Sequence, residues 1–537
     1  MKIFSGTSLL FFLLFFLLIL PSGCMPEAPS SEITPLDLNG PIASLSAVVA
    51  MNLSETPEPT LIPTSTPKPK MNSSLALPTH PVFQLDAIPT LRLESVEYEI
   101  MEGDTISKIA ATFQVSKKSL IEANNLINPD IISVGQKITI PPQTQDIRDK
   151  GFLILPDAEL VYGPPSVSFQ PEDFLSDYPK SYLSSYLEPT PTPLPKTQKD
   201  SSKESPVRFT PRTGMEILFQ VSAENSINPK VLLALMEFQS ASISNSKPND
   251  HQKKSVIAYL GKSYESLSRQ LNWAADTLNY GYYQWKNKRI NQWILDDDTV
   301  VAVNNNINAG TAAIQYLFSQ IYGKDDWVYA VSEFGFAMTY RNLFGIDSQN
   351  YSWENTPESF PDLQLPFSAG EIWSFTSGPH YGWSSGTPWS ALDFAPPDAI
   401  ACSQSNLWVT ASAPGKIVYS KGGLVIEDLD EDSNMQTGWS ILYLHIEERD
   451  RIEAGRTVES GDKIGHASCE GGIADGSHVH IARRYNGEWV PIDAKHPLIL
   501  SGWEAFSTGS IYDGYLVKDD KIVEAWYYKT EESEISY

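Results

Sequence analysis

The sequence predicts a multidomain protein in which a βααβ module, an α-helical domain and a C-terminal antiparallel all-β domain are joined by Pro/Ser/Thr-rich linkers. Its 537 residues are enough for roughly three or four domains. Two Pro-rich stretches divide the chain, a long helical pattern follows the second one, and a strand-and-turn pattern completes the chain. The predicted segments are a leader (1–24), a disordered linker (25–95), the βααβ module (96–142), a connecting segment of uncertain membership (143–188), a Pro-rich linker (189–212), the helical domain (213–350), the all-β domain (370–500) and a C-terminal extension (501–537).

The chain is strongly acidic and has no basic block. Its 39 Lys and Arg residues against 65 Asp and Glu residues give a formal net charge of −26. Nucleic acids select clustered Lys and Arg, so the composition excludes nucleic acid as an expected partner. The same argument weighs against direct electrostatic binding to anionic lipid. It does not bear on a neutral glycan or a peptide as substrate.

The N-terminus reads as an export signal. Lys2 precedes an unbroken apolar run from Leu9 to Leu20, which as a helix spans about 18 Å and falls short of the roughly 30 Å hydrocarbon core. This length favours a signal peptide, and an uncleaved anchor is the alternative. The run ends in Leu20-Pro21-Ser22-Gly23-Cys24, which resembles a bacterial lipobox. The resemblance implies that Cys24 carries lipid and anchors an extracytoplasmic protein to the membrane, at the cell surface or secreted to the cell envelope.

The two linkers share a composition rich in Pro, Ser and Thr. Glu55-Thr56-Pro57-Glu58-Pro59-Thr60 represents the first linker, and Pro189-Thr190-Pro191-Thr192-Pro193 represents the second. Such segments bury too little apolar surface to offset the loss of chain entropy on folding, which predicts extended tethers.

Residues Tyr98 to Pro141 carry the pattern of a small glycan-binding module. Thr105 is placed to cap a helix whose apolar face is Ile106, Ile109, Ala110 and Phe113. This segment resembles the LysM domain over its whole length, which implies binding of glycans that contain N-acetylglucosamine. The resemblance places the groove at the first turn and at the loop before the second strand, with candidate glycan-binding residues Gly103, Asp104, Thr105, Ile131 and Ile132.

The helical segment from 213 to 345 resembles lytic transglycosylases, which have a lysozyme-like fold. Asn228-Pro229-Lys230-Val231-Leu232-Leu233-Ala234-Leu235-Met236 resembles the first core helix of that family. In active members a Glu-Ser pair ends this helix and the Glu protonates the glycosidic oxygen, whereas this chain has Gln239, an amide that cannot donate that proton. Glu237 lies roughly 200° around the helix from that position. We therefore expect no glycosidic cleavage, and both a helical scaffold and a retained glycan groove stay open.

Six of the eight histidines follow residue 370, and no His-Glu-x-x-His motif occurs. Strand alternation places His478 and His480 on one face, and the same rule predicts that Tyr443 and His445 share a face. Two facing strands then present three imidazoles to one cleft. A catalytic zinc needs about three protein ligands and one open position, which two His and one carboxylate satisfy.

The segment from Gly370 to Leu500 resembles the lysostaphin-like peptidoglycan endopeptidases. The resemblance rests on two predicted hairpins with glycine in the turn, at Ala413-Pro414-Gly415-Lys416-Ile417-Val418 and Val458-Glu459-Ser460-Gly461-Asp462-Lys463-Ile464-Gly465. The long insertion between the first His and the Asp is similar to the staphylolysin, or β-lytic, branch. The resemblance implies that zinc (Zn2+) is bound by His380, Asp393 and His480, and that His445 and His478 are the catalytic pair. The resemblance assigns no role to His466 or His496.

With Cys24 lipidated, Cys402 and Cys469 remain as an even pair in an oxidising compartment, where a disulfide between them is expected. Together the modules predict a zinc metalloendopeptidase that hydrolyses peptide bonds in peptidoglycan stem peptides or cross-bridges and is held at the wall by its LysM domain. The alternative is a non-catalytic peptidoglycan-binding protein or an activator of another cell-wall hydrolase.

Overall fold

The structure, a computed structural model, describes residues 87–191, 209–258, 260–261, 264–345 and 355–537. The predicted leader, the lipidation site at Cys24 and most of the first linker lie outside these residues. In the described part of the chain, no helix combines the length and the apolar character that crossing a membrane requires.

The N-terminal module has the predicted strand–helix–helix–strand order: β1 (Val96–Glu99), α1 (Ile106–Phe113), α2 (Lys117–Ala123) and β2 (Lys137–Ile140). The two strands pair antiparallel. Thr105 caps α1 by accepting a hydrogen bond from the Lys108 backbone N–H, and α1 and α2 close over a separate small core. The end of the predicted first linker is folded against this module, because the Arg92 guanidinium donates to the backbone oxygens of Ile140 and Pro141.

The helical domain contains ten helices and five short strands among the described residues. They are β3 (Ile147–Arg148), α3 (Asp157–Leu160), α4 (Pro171–Ser176), α5 (Tyr182–Ser185), β4 (Leu187–Pro191), β5 (Phe209–Thr213), α6 (Gly214–Asn225), α7 (Pro229–Ser240), α8 (Asp250–Lys254), α9 (Leu267–Lys286), β6 (Gln292–Ile294), β7 (Val300–Ala302), α10 (Ala309–Ser319), α11 (Lys324–Ala330) and α12 (Phe336–Phe344), with one 3₁₀ turn at Pro164–Ser166.

The connecting segment 143–188 belongs to this domain. Leu155 and Leu160 have no exposed surface and lie in the core that the long helices form. Strand β3 pairs with β7, which adds a three-stranded sheet to a domain for which the sequence predicts helices alone. Strands β4 and β5 pair antiparallel with Leu187 opposite Thr213, so both ends of the predicted second linker form ordered structure.

The C-terminal domain is antiparallel throughout its strand pairings. Its strands are β8 (Trp373–Tyr381), β9 (Trp389–Ala395), β10 (Val409–Thr410), β11 (Gly415–Lys421), β12 (Leu424–Asp428), β13 (Trp439–Leu444), β14 (Thr457–Val458), β15 (Lys463–Gly465), β16 (Val479–Tyr485), β17 (Glu488–Trp489), β18 (Ile499–Leu500), β19 (Trp503–Ser507), β20 (Gly514–Lys518), β21 (Lys521–Glu524) and β22 (Glu534–Ile535). The largest sheet has the order β14-β11-β12-β13-β16-β9-β8-β22, with β17 beside β16.

The C-terminal extension 501–537 is an integral part of this domain. Strands β18 to β21 form a second sheet, and β22 pairs with β8 at the edge of the large sheet. Leu516 and Ile535 are buried in the same core as Val479. The all-β domain therefore includes residues 501–537.

The two faces of the large sheet have different partners. One face packs into the core of the all-β domain, whereas Ala391, Leu442 and Ala482 on the other face join the core of the helical domain. Buried Arg484 donates to the backbone oxygens of Ala223 and Glu224, which lack intrahelical donors because they lie at the end of α6. The helical domain and the sheet thus share one continuous core.

Candidate metal centre

Three neighbouring strands bring His380, Asp393 and His480 together. In the sheet β16 lies beside β9 and β9 beside β8, and His480 is the direct cross-strand partner of Asp393. The distance between His380 Nε2 and His480 Nδ1 is 2.9 Å. Asp393 Oδ1 lies 3.3 Å from His380 Nε2 and 3.2 Å from His480 Nδ1. All three residues are buried.

Backbone carbonyls hold the two imidazoles in defined tautomers. His380 Nδ1 donates to Gly378 O at 2.8 Å, and His480 Nε2 donates to Gly382 O at 3.0 Å. A neutral imidazole has only one N–H, so the lone pairs of His380 Nε2 and His480 Nδ1 face each other and Asp393 Oδ1. That buried carboxylate oxygen has no hydrogen-bond donor among the described residues. Two imidazole nitrogens and one carboxylate oxygen, each imidazole oriented by a carbonyl, are a donor set that fits zinc.

The charges at this cluster depend on its carboxylate. Burial opposes the charged form of Asp393, but His380 and His478 outweigh it and hold the pKa of Asp393 well below its ordinary value. Burial likewise opposes the charged form of His380, yet Asp393 raises the pKa of His380 above its ordinary value. Burial dominates at His480 and lowers its pKa. A positive charge between these ligands is therefore favourable.

His445 and His478 lie beside this cluster. Their ring centroids are 4.4 Å apart, and His478 Nε2 is 3.8 Å from Asp393 Oδ2. His445 Nδ1 donates to Glu470 O at 2.8 Å and His478 Nδ1 donates to Gly476 O at 2.7 Å, so each neutral ring has an unprotonated Nε2. Burial, with the neighbouring histidines, lowers the pKa of His445 to about 3. His445 is therefore a neutral hydrogen-bond acceptor at neutral pH.

The prediction that Tyr443 and His445 share a face is wrong. Tyr443 is buried in the core of the all-β domain, where its hydroxyl donates to Glu427 Oε2 at 2.6 Å. His445 follows the end of β13 with φ +67°, which interrupts strand alternation and turns its ring to the opposite face. The left-handed backbone therefore places His445 beside His478.

A disulfide-linked loop orients both of these histidines. Cys402 and Cys469 are joined by a disulfide, with their Cα atoms 5.6 Å apart. Ser477 adds hydrogen bonds between the same two loops, from its N–H to Ala401 O at 2.8 Å and from its hydroxyl to Ser403 O at 2.6 Å. The loop 466–478 carries the carbonyl groups that accept from His445 and His478. The covalent link thus fixes the backbone that sets both tautomers.

The helical domain contacts the loop 382–388 beside the cluster. Asp276 on α9 accepts hydrogen bonds from the Gly386 N–H at 2.6 Å and from the Ser385 hydroxyl at 3.1 Å. A side chain at Gly386 would overlap the Asp276 backbone oxygen. The same loop carries Gly382 O, the acceptor of the His480 proton. Sequence reasoning missed Asp276, because no local pattern links it to a loop 110 residues away.

Gln239 lies on a groove of about 610 Å³ in the helical domain. Gln239 Oε1 accepts from the Tyr322 hydroxyl at 2.6 Å, and its Nε2 has no partner among the described residues. Glu237 is engaged elsewhere, since it accepts from the Ile243 and Ser244 N–H groups and from the Ser244 hydroxyl. The further lining residues are Phe238, Asp326, Tyr329, Phe334, Met338, Thr339, Asn342 and Leu343.

The candidate glycan-binding residues of the N-terminal module lie in its two loops. Gly103 has φ +83°, as its turn requires. Asp104 Oδ2 accepts from the Tyr98 hydroxyl and the Met101 N–H, each at 2.8 Å, and Thr105 caps α1. Ile131 is 71% exposed, whereas Ile132 packs partly against the module core. Asp104 and Thr105 thus have structural partners, and Ile131 faces solvent.

Two family models match the chain. The model described as "LysM domain" matches residues 98–141, which confirms the LysM prediction, and "LasA, N-terminal domain" matches residues 153–357. The second match includes the connecting segment and the helical domain. The resemblance of residues 213–345 to lytic transglycosylases stays a prediction.

Known proteins are similar to parts of the chain. Protease LasA of Pseudomonas aeruginosa is 25% identical over 307 residues, which are 52% of this chain and 68% of LasA. The secreted LysM effector ECP6 of Passalora fulva is 36% identical over 101 residues, 19% of this chain and 42% of the effector. Among solved structures, the deep-sea M23 metalloprotease pseudoalterin shares 25% identity, covers 31% of this chain and 97% of its own, and has a TM-score of 0.26. The catalytic domain of lysostaphin from Staphylococcus simulans shares 20% identity, with 23% and 94% covered and a TM-score of 0.17. The chain is thus homologous to LasA and carries a LysM domain.

Proposed function

We propose that this protein is a zinc metalloendopeptidase that hydrolyses peptide bonds in peptidoglycan stem peptides or cross-bridges. The observation that carries the proposal is the buried set of His380 Nε2, His480 Nδ1 and Asp393 Oδ1, whose lone pairs converge. Similarity to a protease over half of the chain supports peptidase activity. The LysM match supports delivery to a glycan-containing wall.

Each residue of the centre has a role in this proposal. His380, Asp393 and His480 hold zinc, which when bound activates water and polarises the scissile carbonyl. His445 and His478 lie outside the ligand set, and each presents an unprotonated Nε2. One of them takes the proton of the attacking water, and the pair returns a proton to the leaving amine. A neutral His445 suits the accepting role, because a cationic ring has no lone pair to offer.

The remaining modules position this centre at its substrate. The LysM domain binds glycan strands through the loops at Gly103–Thr105 and Ile131–Ile132, and a lipid at Cys24 retains the protein at the membrane. The resemblance to the staphylolysin, or β-lytic, branch suggests small residues such as Gly or Ala beside the cut bond. These assignments rest on resemblance and extend the proposal to substrate and location.

A second candidate function is that of a non-catalytic wall binder. The groove at Gln239 favours it, because exposed Tyr329 and Phe334 offer flat aromatic surfaces and the Gln239 amide offers a free donor. Sugar rings pack on aromatic faces while amides bond their polar groups. Such a groove binds glycan without cleaving it.

Digestion of defined muropeptides by the full chain separates the two functions. The endopeptidase produces new peptide termini, which mass spectrometry identifies, and His480→Ala abolishes them. His496→Ala is the matched control, because His496 bonds Asp493 in a separate turn. Retention on peptidoglycan without any new terminus would reject the endopeptidase and leave the wall binder.

A further inference from the structure

A second cluster of oxygen ligands lies at the end of β12 and in the loop between β12 and β13. His380, Asp393 and His480 lie on other elements, namely β8, β9 and β16. Asp428, Asp430 and Asp432 each offer a carboxylate oxygen, and these oxygens lie within 4.8 Å of one another. None of the three carboxylates forms a salt bridge with a Lys, Arg or His of the described chain. Three carboxyl groups are thus held close together without a salt bridge to a cationic side chain among the described residues.

Asp428 provides a separate observation that points to a ligand. It is fully buried at the end of β12, and its Oδ2 accepts from the Ser433 N–H at 2.9 Å. Its Oδ1 has no hydrogen-bond donor among the described residues. Buried carboxylate oxygens are normally paired, because losing water without a partner is costly. An unpaired buried oxygen on a carboxyl group that lies beside two further carboxylates is a favourable ligand for a cation.

The other two carboxylates are held in the loop by its own backbone and side chains. Asp432 accepts from the Asn434 N–H at 2.8 Å and from the Thr437 hydroxyl at 2.7 Å. The Asp430 carboxylate lies across the loop against Gly438. A side chain at position 438 would overlap this carboxylate. Gly438 has φ +58°, which a glycine adopts without strain. The carboxylates are therefore arranged before a ligand arrives.

We propose that this loop binds a calcium ion through Asp428, Asp430 and Asp432. Calcium takes six to eight oxygen ligands in flexible geometry, and carboxylates at alternate positions of a short loop are a common source of them. Zinc favours the nitrogen and sulfur ligands that these three residues do not supply, and magnesium demands near-ideal octahedral geometry. Backbone carbonyls and water complete the shell. The ion neutralises a buried carboxylate, so its role is structural.

The loop that carries the three carboxylates contacts the helical domain, so an ion bound in the loop affects how the two domains pack. Met435, three residues after Asp432, is buried in the core that the sheet shares with the helical domain. Gln436 hydrogen-bonds the Tyr162 side chain, which belongs to the segment between α3 and α4. Calcium therefore fixes the loop against the helical domain and raises the thermal stability of the whole protein.

Calcium titration of the full chain, purified with zinc, tests this site. We expect one saturable site by calorimetry, with a Kd of about 10⁻⁴–10⁻³ M as in extracellular calcium modules, and a higher Tm at saturating calcium. Asp430→Asn with Asp432→Asn, two exposed positions that spare buried Asp428, removes both effects. Glu531→Gln with Glu532→Gln removes the same charge from a distant exposed turn and leaves both effects intact. Absence of saturable calcium binding, equal binding of magnesium, or unchanged binding in the Asp430/Asp432 variant would overturn the proposal.

Discussion

The buried carboxyl group of Glu427 makes the stability of the protein depend on pH. Burial raises the pKa of Glu427 from its ordinary value of 4.5 to about 8, although the Tyr443 hydroxyl donates to it. A group whose pKa is higher in the folded state contributes stability below pH 4.5, and that contribution is lost as pH rises through 8. Each unit of difference between the two pKa values is worth about 1.4 kcal/mol. The rise from 4.5 to about 8 therefore corresponds to a loss of about 5 kcal/mol from the free energy of unfolding.

Replacing Glu427 with Gln removes this loss, because the amide keeps an acceptor for Tyr443 and never ionises. Urea unfolding of both proteins between pH 4.5 and 8.5 measures the effect. The difference in free energy of unfolding should shift by about 5 kcal/mol in favour of Glu427→Gln over this range. Titrating groups that do not interact with Glu427 are common to both proteins, so their contributions cancel. A difference that stays constant with pH would refute the buried, protonated carboxyl group.

Three further predictions concern the site and its surroundings. His478→Ala should keep zinc while its turnover on a peptidoglycan peptide falls by about 10²–10⁴, the usual worth of acid–base help, and unchanged turnover would contradict the proposed role. Gly386→Ala should lower Tm and activity together, because its methyl group meets the Asp276 backbone, whereas Ser385→Ala loses only one hydrogen bond and serves as control. The full chain should release no anhydro-sugar products from purified wall, because Gln239 cannot protonate a glycosidic bond, and detection of such products by mass spectrometry would reverse that conclusion.

The N-terminal module and the histidine strand β16 were predictable from local pattern. Thr105 and the apolar face after it predict a capped helix, and alternation places His478 and His480 together because β16 is regular. The same rule fails at His445, because its positive φ turns the His445 side chain to the opposite face of the sheet. No neighbouring residue type predicts that positive φ. Local rules thus succeed where the backbone stays regular.

The packing between segments was not predictable in the same way. Leu155 gives no sign in sequence of which core it enters, because its partners are distant helices. The extension after 500 contributes Leu516 and Ile535 to a core whose other members begin at Leu363, which is 535 − 363 = 172 residues before Ile535. The spacing of Asp428, Asp430 and Asp432 is readable in sequence, but its meaning depends on the burial of Asp428, which only the fold provides.

Zinc content is the most direct measure of the central claim, that His380, Asp393 and His480 form one metal centre. Elemental analysis of the purified full chain should find about one zinc per molecule, as expected for a single three-ligand site. His480→Ala and Asp393→Ala should each lose it together with peptide cleavage, while His496→Ala retains both. Stoichiometric zinc in either ligand variant, or a native protein that cleaves peptides after complete removal of zinc, would contradict the account.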